Sequence, residues 1–395
     1  MTRTRTRKPS DLNGTAHVIS GFFLLLLISS STYSQELLKR WELPLPGQLP
    51  LTPLVDQERQ VLYVASKTQG LGIFRLRGES QQPLEIARLP KGRFGGLDVM
   101  DVTQQGNHLF VALGDFFSAR GARAGAAIVD VSDPGRPQVN VVWQSDDVLK
   151  GAAVVRVQDD DLYLGAMSSG VIILKTNSAR DELKPVTTFL PDLNFPRRNP
   201  NRIQHPNARG MWIENTRLFL ANDAGGLRVL DIVKPDNPVE IGRYSNPGMA
   251  GKQQAYNSLW IDQGLAYVAV DYAGLEIVDV RNPAAMTQVG WWNPWSAQKL
   301  TNMWFNSPGH TNQIAFDRDR RHIYLSAGDS ELLVIDVADP AQPKSVGRVG
   351  AVKNDQGVWG VAVAGDTVFT TYVTSQIPFR GRWSGVKAFS VPASR

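Results

Sequence analysis

Apolar residues in this chain fall in short runs broken by turn-forming positions, and no window keeps helical i, i+3, i+4, i+7 spacing for more than about two turns. The pattern predicts strands joined by turns. Four segments overlay without gaps at their start: GAAIVDVSDPGRPQVNVV (125–142), GLRVLDIVKPDNPVEIGRY (226–244), GLEIVDVRNPAAMTQVGWW (274–292) and ELLVIDVADPAQPKSVGRV (331–349). Each apolar run ends in Asp, with Pro four residues on: Asp130/Pro134, Asp231/Pro235, Asp279/Pro283 and Asp336/Pro340. Proline fixes φ and lacks a donor, so it belongs between strands, and the Asp beside it accepts turn N–H groups. Each segment therefore reads as a hairpin whose aspartate caps the turn.

Upstream of each hairpin lies an apolar strand, a polar turn and a strand rich in Tyr, Phe, Val and Ala, as in MWIENTRLFLAN (211–222) and LWIDQGLAYVAV (259–270). Four strands recurring every ~40–55 residues match one propeller blade. The inner strands are nearly continuous apolar runs, which suits sheets covered on both faces. Fainter copies lie at 61–89 and 152–174, and a third at 361–391 runs out of chain after three strands. The missing strand is found at the other end, where LLKRWELP (37–44) resembles LEIARLP (84–90). The expected fold is all-β: a seven-bladed β-propeller over residues 35–395, its last blade closed by the N-terminal strand. Such closure leaves no free sheet edge in the ring.

The hairpin runs AIVDVSDP, VLDIVKP, EIVDVRNP and LVIDVADP resemble the LVIVD repeat family. The resemblance is strong in four blades and weak in three. It implies an exported or cell-surface propeller and brings no shared catalytic residues with it.

Residues 1–34 stand apart. Arg3, Arg5, Arg7 and Lys8 precede an apolar stretch from Val18 to Ser29, and Thr32 and Ser34 occupy −3 and −1 of a cut before Gln35. A basic end, a short apolar run and small residues spell a secretory signal. An uncleaved anchor is the alternative, but the run falls short of the roughly 20 residues that span a bilayer. With the segment removed, no membrane span is expected and the product is exported: periplasmic, secreted or on the cell surface. The formal charge of +5 belongs largely to this segment, so a nucleic-acid partner is not expected. The chain has no cysteine, so export here does not imply disulfides.

The long insertions fall in two loop classes that share one propeller face. They are the blade-to-blade connectors at 191–207, 244–255 and 293–312, and the second-to-third-strand loops at 114–124 and 374–383. Long loops on a rigid scaffold are the usual place for binding. These segments are rich in Lys and Arg, including Arg120, Arg123, Arg197 and Arg198, which would attract an anionic partner. His205 and His310 occupy corresponding places in HPN and HTN, just before two innermost strands. Arg209, Asn257 and Asn312 align by the repeat as a polar ring at the channel mouth. Trp291, Trp292, Trp295, Trp304 and Phe305 form an aromatic group that would stack on sugars or plug the gaps between blades. No phosphate loop, nucleophile elbow, HExxH or EF-hand spacing is present, and two histidines fall short of a zinc site, so neither metal nor cofactor is expected.

The function expected from the sequence is a monomeric binding scaffold whose basic face holds a protein or an anionic polymer. The alternative is a hydrolase or lyase at the mouth of the central channel. The ligand candidates are Arg120, Arg123, Arg197, Arg198, His205, Arg209, Asn257, Trp304, His310 and Asn312.

Overall fold

The computed structural model describes residues 35–196, 206–300, 309–327, 331–351, 354–374 and 381–391. Residues 34–395 form one unit, and the segment read as a signal lies outside the described residues. Seven antiparallel sheets make seven blades, at 53–89, 99–144, 154–189, 210–244, 256–292, 314–349 and 358–390. Within a blade the strands follow chain order, so each pairs with the next. The innermost strands (Pro53–Asp56, Val99–Gln105, Val154–Gln158, Gly210–Glu214, Tyr256–Asp262, Ile314–Asp317 and Val358–Ala364) touch one another in turn, the last against the first.

Blade 7 takes its outer strand from Lys39–Pro44, which pairs antiparallel with Gly385–Ser390. This segment is a true fourth strand. The pairing of third and fourth strands carries a one-residue register shift in every blade, between Ile73 and Phe74 in blade 1 and between Lys39 and Trp41 here. Such bulges bend a strand and sharpen its twist, which the outer edge of a blade needs. Trp41 is buried against Phe369, with ring centroids 5.8 Å apart. A feature not legible from the repeat is Gln35–Glu36, which adds a short parallel strand outside Lys344–Val349 of blade 6.

Core residues lie between blades. One cluster joins Phe219, Leu227 and Val229 of blade 4 to Leu259, Val268 and Val278 of blade 5. Both faces of a sheet are thus covered, and the strands need continuous apolar runs. The repeat aspartates cap their turns: Asp130, Asp231, Asp279 and Asp336 accept from the backbone N–H groups of Ser132, Val233, Arg281 and Ala338 at 2.7–3.0 Å. Gly70, Gly170, Gly226 and Gly274 start third strands at φ between +77° and +86°. A Cβ there would strike the carbonyl oxygen of the outer strand, at Leu89, Phe189, Tyr244 and Trp292 respectively. This fixes the glycine of the repeat sterically. Among the described residues no helix is long and apolar enough to cross a membrane.

Candidate functional site

First-to-second and third-to-fourth turns emerge at one end of the ring, and blade connectors with second-to-third loops at the other. The described parts of the long loops, 190–196 with 206–209, 293–300 with 309–313, 114–124, and 373–374 with 381–384, therefore lie at one mouth. Arg120 and Arg123 are exposed there. Arg197, Arg198, His205 and Trp304 lie outside the described residues.

The channel beneath this mouth encloses about 340 Å³. Arg209, Asn257 and Asn312 all line it, as their common repeat position requires. Asn257 Nδ2 donates to the Thr311 carbonyl at 2.7 Å. Asn312 is buried, and neither of its amide atoms has a hydrogen-bond partner among the described residues. The half-buried Arg209 guanidinium lies 4.7 Å from the Phe116 ring centroid and 5.8 Å from that of Trp359. Lower in the channel, Asp101 Oδ2 accepts from Arg156 Nη1 and from the Val155 N–H, both at 3.0 Å. Trp212 and Trp260, equivalent in neighbouring blades, form a tilted pair with centroids 4.3 Å apart on the wall.

His310 is buried, stacked on Tyr272 at 4.8 Å, with Nδ1 against Asp271 Oδ1. The same carboxylate oxygen accepts the Thr311 N–H at 3.2 Å, so Asp271 ties the blade 5–6 connector to blade 5.

Sequence reasoning missed Asp223 and Asp271. Both are buried and both interact electrostatically with Arg209. Asp223 is held by a two-way backbone bridge to Tyr256 (3.0 and 3.1 Å), and its Oδ2 accepts from Asn207 Nδ2 at 2.8 Å. The signal was available. Each stands three residues before a repeat glycine, Gly226 or Gly274, where other blades carry Lys67 and Met167. Lys67 also sits at this mouth, 3.0 Å from Asp115 and 3.7 Å from Asp98, while Lys91 pairs with Asp98 at 3.4 Å. The mouth is therefore a mosaic of paired charges, and its cationic excess is smaller than loop composition suggests.

Burial pushes the Asp223 carboxyl up to about 6, against the pull of Arg209 and Asn207 and with the help of Asp271. A raised folded pKa means that the fold binds this proton more tightly than the unfolded chain. The associated stability is present below the unfolded value of 3.8 and is lost as pH climbs through about 6. In urea unfolding at pH 4 and pH 7, wild type is expected to lose about 2 kcal/mol more than Asp223→Asn over that interval. Parallel pH profiles would refute the assignment.

Of the aromatic group, Trp291, Trp292 and Trp295 pack against the blade cores, and Trp291 Nε1 donates to the Ala273 carbonyl at 2.8 Å. That placement is the plug between blades. Among the described residues no group of three His, Asp or Glu is placed to hold a metal ion.

The LVIVD repeat model matches residues 96–141, 207–246, 255–293 and 321–350, within blades 2, 4, 5 and 6. No curated protein matches the chain in sequence. Among solved structures, the β-propeller domain of Cps50 (Swd1) from Myceliophteria thermophila is similar at TM-score 0.58 and 10% identity, over 90% of this chain and 100% of that one. The WD40 repeats of RRP9 are similar at TM-score 0.63 and 11% identity, over 89% of this chain and 97% of that one. A chain of the Mitotic Checkpoint Complex is similar at TM-score 0.60 and 13% identity, over 99% of each. At these identities the likeness is one of fold.

Proposed function

From the premise that this chain is a β-propeller carrying LVIVD repeats in four regions, we propose that it is an exported interaction scaffold that engages its partner through the loop-rich mouth. The observation that carries this reading is that the longest connectors leave and re-enter the blades at one end of the ring. Ordering such loops costs conformational entropy, and the blades are complete without them. The propeller is a fold commonly used for protein interaction, and one similar chain belongs to a checkpoint complex. The exposed Arg120 and Arg123 favour a partner with an anionic surface, either a protein or a polymer.

The reading is tested with the exported full chain, whose mass is expected to match a start at Gln35. Retention on immobilised heparin is expected at low salt and is expected to fall steeply as salt rises. Changing Arg120, Arg123, Arg197 and Arg198 together to Ala should weaken retention at least tenfold. Undiminished binding by that variant would sink the basic-face reading. The His310–Asp271 contact is what favours a hydrolase or lyase instead. That alternative requires an activity abolished by His310→Ala.

A further inference from the structure

We propose that the central channel is itself a binding site for a small organic monocarboxylate, which Arg209 holds. This goes beyond a macromolecule on the loops, because the site is inside the ring and does not use Arg120, Arg123, Arg197 or Arg198.

Charge in the lining carries the inference. Asp101, Arg156 and Arg209 are the charged residues that line the cavity. The first two neutralise each other at 3.0 Å. The Arg209 guanidinium makes no hydrogen bond or ion pair among the described residues, and it lies against the faces of Phe116 and Trp359. Ring faces hold a guanidinium by its plane and leave its N–H edge unused. That edge is a planar fork matched to the two oxygens of a carboxylate. A cation left in a pocket of this kind completes its coordination with an anion from outside.

The surroundings set the ligand's class. Asp223 and Asp271 interact electrostatically with Arg209 but form no ion pair with it among the described residues, so they would repel a second negative charge and select a monoanion over a phosphate dianion. The lining mixes polar residues such as Thr52, Ser258 and Gln313 with an apolar and aromatic part made of Met100, Trp212, Trp260, Ile314 and Val361. A flat apolar body suits that part. Asn312, in the same ring, carries a buried amide whose two polar atoms have no partner among the described residues. A volume of about 340 Å³ suits a small molecule.

The test is titration of the full chain with phenylacetate, its neutral counterpart phenylacetamide, and inorganic phosphate, followed by tryptophan fluorescence and calorimetry. Phenylacetate is expected to bind one to one and to bind at least tenfold tighter than either of the others. Arg209→Met is expected to weaken phenylacetate at least tenfold, and Arg209→Lys by less. Arg120→Ala/Arg123→Ala should leave it unchanged, which separates this site from the loop-face reading. Equal binding of acid and amide, phosphate binding more tightly, undiminished binding by Arg209→Met, or no saturation with phenylacetate would each overturn the proposal. Should Arg209→Met fail to fold, the comparison of acid, amide and phosphate on wild type decides alone.

Discussion

Glu276→Ala is expected to lower the unfolding free energy by about 3–4 kcal/mol, although Glu276 touches no candidate ligand site. Its side chain is fully buried between blades 4 and 5. Oε1 accepts from Tyr244 Oη at 2.7 Å and from Gln288 Nε2 at 2.6 Å, and Oε2 from Tyr256 Oη at 2.9 Å. Tyr256 Oη also accepts the Asn246 N–H at 3.0 Å, so the network reaches into the blade 4–5 connector. Burial pushes the Glu276 carboxyl up, and the three donors pull it back. Truncation leaves two interior hydroxyls without their acceptor and opens a cavity, two costs that add. Glu276→Gln should lose less than half as much. Its amide oxygen can serve Tyr244 and Gln288 while its N–H donates to Tyr256, whose own proton turns to Gln254 at 3.2 Å. Denaturant unfolding of both variants checks this. Alanine within 1 kcal/mol of wild type would show that the network is dispensable.

Arg228→Ala should cost about 3–5 kcal/mol, the range for breaking a buried ion pair from one side. The Arg228 side chain has no exposure. Nη1 lies 3.0 Å from Glu240 Oε2, Nε donates to the Gly225 carbonyl at 2.7 Å, and Nη2 donates to the Asp192 carbonyl at 2.9 Å. The Phe195 ring covers the guanidinium at 4.7 Å. Burial pushes its pKa down while Glu240 supports the charge. The residue therefore pins the start of the blade 3–4 connector to blade 4. Its loss should free that connector as well as destabilise the blade. Unfolding measurements give the first effect, and faster proteolytic cutting near residues 190–196 reports the second. Arg228→Lys should not restore either, since one ammonium cannot serve a carboxylate and two diverging carbonyls at once. Full rescue by Lys would contradict the geometry.

The blades were legible because propeller sheets leave a periodic trace: a turn-capping Asp, a sterically required Gly and apolar runs between them. Even the borrowed strand showed, since Lys39–Pro44 must satisfy the same packing as any other outer strand. The channel ring Arg209, Asn257 and Asn312 was legible for the same reason, equal repeat positions being equal places in space. What the sequence concealed lies across blades. Asp271 of blade 5 meets Arg209 of blade 4 only once two blades are packed, and no local pattern pairs them. One clue was present. Glu276 and Arg228 occupy the third position of runs that are otherwise apolar, where other blades have Gly72, Ile172 and Leu333. A charge in such a place announces a buried partner without naming it.

The register between Lys39–Pro44 and Gly385–Ser390 also bears on how the molecule comes apart. In a solenoid each repeat leans only on its neighbours, so the ends fray and stability is gained unit by unit. Here the pairing that shuts the ring joins residues at opposite ends of the chain, the longest loop the fold must close and a demanding step in its assembly. Once it has formed, no blade is terminal. A defect in any one of them is then felt around the whole circle, and denaturation becomes an event of the ring rather than of its parts.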